Sequence, residues 1–246
     1  MKVCVIPARG GSKRIPRKNI KHFCGQPIIA YPIQAALASG LFDHVVVSTD
    51  DDEIAKIALQ YGAAVPFKRP IGLADDYTAT APVLLHALEW FEHQALNVAE
   101  IICLYPTTPF LTAQLLQTAY QTWKESRAEY CFSVSEYPSA PQRAMLRDPQ
   151  GKMSSLYPQF DLIRTQDLMP TFFDVGQFYF CEAVSFKTDP NLHSPKALGY
   201  ELPKLLAIDI DTPDDWRLAE LIYQAQAMAN LSTNEPVSQP VNESAL

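Results

Sequence analysis

The run HVVVSTDDDEIAKIALQYGAAVPF, residues 44–67, changes periodicity twice. His44–Ser48 is short, apolar and β-branched, as a strand covered on both faces should be. Asp51–Tyr61 then places Ile54, Ile57, Ala58 and Tyr61 at helical spacing, and it stops at Gly62, a natural residue for the position after a helix. Ala63–Phe67 returns to a strand pattern.

The same alternation extends in both directions. Before it come a short apolar run, Val3–Ile6, and a helix over Pro27–Ser39 that ends at Gly40. After it come a helix over Ala79–Ala95, a strand over Glu100–Tyr105, a helix over Thr112–Ser126 and a strand over Tyr130–Glu136. Repeated β-α-β units of this length imply an α/β fold: a mostly parallel sheet with helices on both faces. In such sheets ligands bind where the loops converge at the carboxyl ends of the strands.

From Tyr137 to about Thr171 the pattern breaks into a segment rich in Pro, Gln, Arg, Ser and Met, expected to be an insertion or dimerisation arm. Regularity returns at Phe178–Phe180 and at Lys204–Ile210, read as a strand. A helix follows over Asp214–Ala227, with Pro213 at its start, where a missing N–H costs nothing. Residues 1–229 read as a single domain. The tail, residues 230–246, is Ser-, Asn-, Pro- and Glu-rich and is expected to be disordered.

Composition narrows the function. The chain has 246 residues, 48% apolar and 19% charged, which is enough to bury a sizeable core. A net charge of −7 argues against nucleic acid or an anionic membrane as the partner. Neither a secretory leader nor a membrane span is legible. The five cysteines are scattered without a CxxC pair, and Cys4, Cys103 and Cys131 lie in strand-like runs, so reduced core thiols and a cytoplasmic location are expected.

Against this acidic background the first loop is basic. Arg9, Lys13, Arg14, Arg17, Lys18 and Lys21 surround the Gly10-Gly11-Ser12 turn directly behind the first strand. Glycines let backbone N–H groups approach an anion, and Arg9, Lys13 and Lys18 can neutralise phosphate oxygens. Neither the Walker A spacing nor the dinucleotide G-x-G-x-x-G is present. Asp50, or a neighbour, closes the second strand as a cap or a functional carboxylate. Lys68-Arg69-Pro70 ends the third strand, and Leu104-Tyr-Pro-Thr-Thr-Pro109 the fourth.

In Ala207-Ile-Asp-Ile-Asp-Thr-Pro213 a strand would put Asp209 and Asp211 on one face. Paired like charges call for a cation, and an oxygen-only set suits Mg2+ shared with substrate phosphates. His22, His44, His86, His93 and His193 have no zinc-ligand spacing, and no nucleophile elbow occurs. Cations for a triphosphate and carboxylates for a metal, on one sheet rim, point to nucleotidyl transfer.

IPARGGSKRIPRKNI, VVVSTDDDEIAKIA, KRPIGLADDYTAT, LYPTTPF and IDIDTPDDW, in this order over about Val3 to Ala227, resemble the CMP-sugar synthetases that activate nine-carbon acidic sugars. The resemblance implies a Rossmann-like nucleotidyltransferase sheet with an inserted dimerisation arm, a homodimer, and CTP and a nine-carbon acidic sugar as substrates. It implies that Arg9, Ser12 and Lys13, with the Gly10 and Gly11 backbone, hold the CTP phosphates, and that Lys18 and Asn19 lie close to the phosphates and ribose. Arg69, Thr80 and the Ala8 backbone would frame the cytidine. Asp209 and Asp211 match the family's Mg2+ ligands, with Arg9, Lys13, Lys18 and Asp211 carrying the catalysis.

The departures concern the sugar. Sialate enzymes of the family read L-Q-P-T-S-P-L-R where this chain has Leu104-Tyr-Pro-Thr-Thr-Pro-Phe110, and R-x-N-G-A-[IF]-Y where it has Phe173-Asp-Val-Gly-Gln-Phe-Tyr179. These stretches and residues 14–33 resemble the pseudaminic acid branch, which supplies flagellin or surface glycosylation; the sialate branch is the alternative. Tyr105, Thr107, Gln177 and Tyr179 are then candidate sugar contacts. Gln142, Arg143 or Arg164 of the insertion would meet the sugar carboxylate, within one chain or across a dimer. Arg14 and Arg17 have no assigned role beyond the local field, although Arg17 belongs to the pseudaminic-like run. A catalytically silent nucleotide-binding protein on this fold would lack one of the loop cations or metal carboxylates, and all of them are present.

Overall fold

The computed structural model describes residues 1–229. The expectation of a disordered tail concerns residues 230–246 and lies outside them. Six strands form the central sheet. In chain order these are β1 (Lys2–Pro7), β4 (His44–Ser48), β5 (Glu100–Leu104), β6 (Tyr130–Glu136), β9 (Phe172–Glu182) and β10 (Ala197–Glu201). Two short ribbons supply the rest, β2 (His22–Phe23) with β3 (Gln26–Pro27), and β7 (Met145–Arg147) with β8 (Met153–Ser155).

The spatial order is β10-β6-β9-β5-β1-β4. β1 pairs in parallel with β4 and β5, β10 in parallel with β6, and β9 runs antiparallel between β5 and β6. The sheet is therefore mostly parallel with one reversed strand, so the N-terminal part of β9 lies at the same rim as the carboxyl ends of β1, β4, β5 and β6.

Alternation along β1 divides the core. Cys4 and Ile6 face one side, with α1 (Ala30–Ser39), α2 (Asp52–Gln60) and α4 (Ala113–Ser126). Val3 and Val5 face the other, with α3 (Thr80–His93) and α5 (Ala183–Thr188). Both faces are covered, and these residues of β1 are fully buried. A third cluster packs Trp216 and Ala219 of α6 (Pro213–Ala229) against Ile15, Phe23, Ile28 and Tyr31, which binds the end of the chain to the segment that follows the basic loop.

Several sequence expectations need correction. Ala63–Phe67 is not a strand of the sheet: Ala64 makes an isolated bridge to Val46 of β4, and Lys68 makes another to Thr49 just beyond it. Lys204–Ile210 is not a strand either. It begins as a turn in which Leu206 N–H donates to the Pro203 carbonyl, and it joins no ladder. Its alternating apolar residues are used instead in the α6 cluster, where Leu206 and Ile210 are buried. The first helix starts at Ala30 rather than Pro27, because Gln26–Pro27 pairs with β2. The 137–171 segment carries its own β7–β8 hairpin and three short 3-10 turns.

Candidate active site

The basic loop leaves β1 at Pro7 and is fastened before it reaches solvent. Ala8 N–H donates to the Ser48 carbonyl at 2.9 Å, and Gly10 N–H donates to the Asp50 carboxylate at 3.0 Å. Asp51, not Asp50, caps α2, accepting from Glu53 N–H and Ile54 N–H at 3.0 Å each. The Gly10 amide is thus already engaged, and the donors left for an anion are side chains and the backbone beyond it.

Arg17 adopts the left-handed conformation, φ 55°, and its guanidinium reaches Asp51 and Glu53 rather than the cleft. The Arg17 hydrogen bonds hold the Asp51 carboxyl down to about 2. Arg17 is thus a brace between the loop and α2. The buried Asn19 side chain donates to the Arg9 carbonyl at 2.9 Å and closes the loop from the other side.

The braced loop forms one wall of a cleft of about 290 Å3 at the carboxyl end of the sheet. Arg9, Ser12, Lys13, Arg14, Lys18 and Asn19 line that wall. Arg69, Thr80, Tyr105, Thr107 and Asp211 face them. The Arg69 guanidinium is 5% exposed and donates to the Ser48 hydroxyl at 3.1 Å and to the Ser48 carbonyl. Burial lowers its pKa to about 10, which still leaves it a cation at neutral pH. Thr80 and Tyr105 share a hydroxyl hydrogen bond of 2.7 Å at the mouth of α3, and burial pushes the Tyr105 phenol up to about 12.

Lys18 reaches across the cleft. Its ammonium donates to the Ile210 carbonyl at 2.8 Å and to Asp211 at 3.2 Å, while Arg14 approaches the other Asp211 oxygen at 2.8 Å. Asp209 presents more than a third of its surface to solvent, yet its carboxyl is raised above the ordinary range. Local desolvation is the first cause and the negative charge of Asp211 the second, with Lys18 pulling the other way. Asp215 does not join the pair, because its carboxylate accepts from the N–H groups of Asp211 and Thr212 and from the Thr212 hydroxyl.

The remaining candidates do not line this cleft among the described residues. Gln177 is buried and its Nε2 donates to the Leu206 carbonyl, so it supports the segment leading to Asp209; its Oε1 has no protein partner. The Tyr179 hydroxyl donates to Asp174 at 2.6 Å, and its ring packs 5.5 Å from that of Tyr105. Gln142 donates to the Met169 carbonyl, and Arg143 to the carbonyls of Asp161 and Ile163, so both knit the arm together. Arg164 pairs with Asp167 on the arm surface. Lys68 pairs with Asp52, outside the cleft wall. Sequence reasoning missed Asp76, which binds both Arg9 and Lys13 from the loop before α3.

A cytidylyltransferase family profile matches residues 3–159, which contain the basic loop, Arg69, Thr80 and Tyr105. The chain belongs to the cytidylyltransferase family.

Its relatives include pseudaminic acid cytidylyltransferase of Campylobacter jejuni, 38% identical over 90% of this chain and 96% of the relative. A CMP-N,N'-diacetyllegionaminic acid synthase of Legionella pneumophila is 32% identical over 90% of this chain and 96% of its own length. An N-acylneuraminate cytidylyltransferase of Streptococcus agalactiae is 27% identical over 87% of this chain and 51% of its own. Among solved structures, CMP:2-keto-3-deoxy-manno-octonic acid synthetase complexed with CTP matches with a TM-score of 0.65, covering 92% of this chain and 99% of that one at 17% identity, and so shares the fold. Among the described residues of this cytidylyltransferase no helix is long and apolar enough to cross a membrane.

Proposed function

We propose that the protein transfers CMP from CTP to the anomeric hydroxyl of a nine-carbon acidic sugar, pseudaminic acid, with release of pyrophosphate. The observation that carries this is the Lys18–Asp211 contact, which brings the cations of the basic loop and a carboxylate of the IDIDT segment together in one cleft. The hydroxyl oxygen forms a bond to the α-phosphorus, the bond from that phosphorus to the bridging oxygen breaks, and the hydroxyl proton passes to solvent. Positioning and charge neutralisation supply most of such a reaction. Arg9, Ser12 and Lys13 hold the outgoing phosphates, Lys18 steadies the transferring one, and Arg69, Thr80 and the Ala8 backbone fix the cytidine.

Asp209 and Asp211 would hold a Mg2+ ion. They fit it: Asp209 has its pKa raised partly by the charge of Asp211, a juxtaposition that a cation relieves. Two carboxylates alone would leave most of a Mg2+ coordination shell to oxygens of substrate and water. When bound, the ion would neutralise charge on the phosphates.

Tyr105 at the cleft and Tyr179 behind it, on the strand that returns from the arm, support the acceptor lying toward β9 and β6. The 38% identical relatives support pseudaminic acid as that acceptor. A cytoplasmic location fits five cysteines that form no disulfide in the described residues. A homodimer fits the exposed Met145, Leu146, Leu162 and Met169 on the arm. The test is Mg2+- and CTP-dependent pyrophosphate release with pseudaminic acid and N-acetylneuraminic acid in parallel. Release with neither sinks the transferase reading, and preference for the second sinks the choice of sugar.

A further inference from the structure

Each of the four cleft cations from the basic loop already faces a carboxylate. Arg14 and Lys18 face Asp211, a pairing that belongs to the metal side of the reaction. Arg9 and Lys13 share Asp76, with Arg9 Nη1 2.5 Å from Asp76 Oδ1 and Lys13 on Oδ2. Asp76 has no place in the proposed transfer, because a carboxylate on these two cations opposes a phosphate there.

The loop that carries it is built to present it. Asp75 accepts from Tyr77 N–H at 2.9 Å and from the Thr78 N–H and hydroxyl at 2.7 Å each, which fixes the turn and turns the neighbouring carboxylate toward Arg9 and Lys13. The chain then runs directly into Thr78, Ala79 and Thr80 on the cleft wall. Ile71 and Tyr77 on this loop are 90% and 93% exposed, so little apolar contact restrains it and it can shift without opening the core.

We propose that Asp76 is a specificity-determining residue: an internal anion seated where the polyphosphate binds, displaced only by a ligand that brings several phosphate charges to Arg9 and Lys13. The inference rests on reading the cleft as a nucleoside-triphosphate site. CTP and pyrophosphate outcompete a single carboxylate, whereas CMP, with one phosphate, leaves it in place. When pyrophosphate departs, Asp76 returns to both cations, so the same penalty falls on CTP binding and on pyrophosphate rebinding.

The test compares the wild-type full chain with Asp76→Asn and Asp76→Glu by titration calorimetry at low ionic strength with Mg2+, using CTP, pyrophosphate and CMP as ligands. Matched melting temperatures establish that the variants are folded. Because exposed pairs are individually weak and salt-screened, Asp76→Asn is expected to bind CTP and pyrophosphate about three- to tenfold more tightly and CMP within about twofold of wild type. Asp76→Glu keeps the charge and stays closer to wild type than Asn does. Unchanged or weaker binding of CTP and pyrophosphate by Asp76→Asn, or an equal gain for CMP, overturns the proposal. A wild-type protein that binds no CTP overturns the nucleotide reading beneath it instead.

Discussion

Lys18 and Asp211 stand 193 positions apart in sequence and meet at 3.2 Å, with the same ammonium 2.8 Å from the Ile210 carbonyl. One side chain therefore joins the loop behind the first strand to the segment ahead of the last helix. It acts as tether and cleft cation together.

Asp211→Asn keeps the shape of the side chain and removes the charge that Lys18, Arg14 and a metal would answer. Turnover is expected to fall about 10²- to 10³-fold, the scale of a lost charge-stabilising group in a preorganised site. The melting temperature should hardly move, since Asp211 is partly exposed. Steady-state kinetics across a Mg2+ titration checks this; near-normal rates with unchanged Mg2+ dependence refute the role.

Arg69→Lys should not behave as a conservative change. The guanidinium serves the Ser48 hydroxyl and carbonyl together from a site 5% exposed, a fork that an ammonium cannot reproduce. The lost buried hydrogen bonds are expected to cost about 1–3 kcal/mol in chemical denaturation and to raise KM for CTP above that for the sugar. Equal changes in both KM values would contradict its place on the nucleotide side.

Gly10→Ala tests the bracing of the loop. A Cβ at residue 10 would sit 2.8 Å from Asp51 Oδ2, and that carboxylate is held by Arg17 and by two α2 amides. The clash has no soft exit, so a destabilisation of about 1–3 kcal/mol is expected. An unaltered denaturation midpoint would show that Asp51 can move after all.

The Asp51–Arg17 pair also sets an acid limit. Unfolded, Asp51 takes up its proton near pH 4; folded, its carboxyl is held down to about 2, first by the Arg17 hydrogen bonds. Between those values the unfolded chain binds the extra proton. The stabilisation is therefore complete above about pH 4 and is lost as pH falls toward 2. Arg17→Met should lower stability most at neutral pH, where the pair contributes in full, with the deficit shrinking as pH falls toward 2; a denaturation series across pH, read by circular dichroism, checks this, and a deficit independent of pH would contradict it.

What could be read from sequence was what is encoded locally. β4, α2, α3, β5, α4 and β6 follow from β-branched runs, helical spacing, a capping aspartate and Gly62, all within reach of their own neighbours. β9 was visible only at Phe178–Phe180 because strand direction leaves no local mark, and its Gly176, at φ 66°, interrupts the pattern. β10, Ala-Leu-Gly-Tyr-Glu, is only five residues long with Gly199 at its centre, so its alternation rests on just Leu198 and Tyr200. Lys204–Ile210 had strand-like alternation for another reason, burial against α6. The basic loop was legible through composition, and its cations Arg9, Lys13, Arg14 and Lys18 do line one cleft. Asp76 and the brace role of Arg17 depend on partners more than thirty residues away, which spacing alone does not bring together.

The reversed strand has one more consequence. Glu136 at the end of β6 lies directly opposite Phe172 at the start of β9, so the intervening arm leaves and re-enters the sheet at adjacent points of one ladder. Its ends are closed by the sheet itself, and lengthening such a loop carries only a slowly growing entropic cost, about 0.6 kcal/mol for each doubling. Segments of different length and composition can hang from this hinge without disturbing the register of any strand.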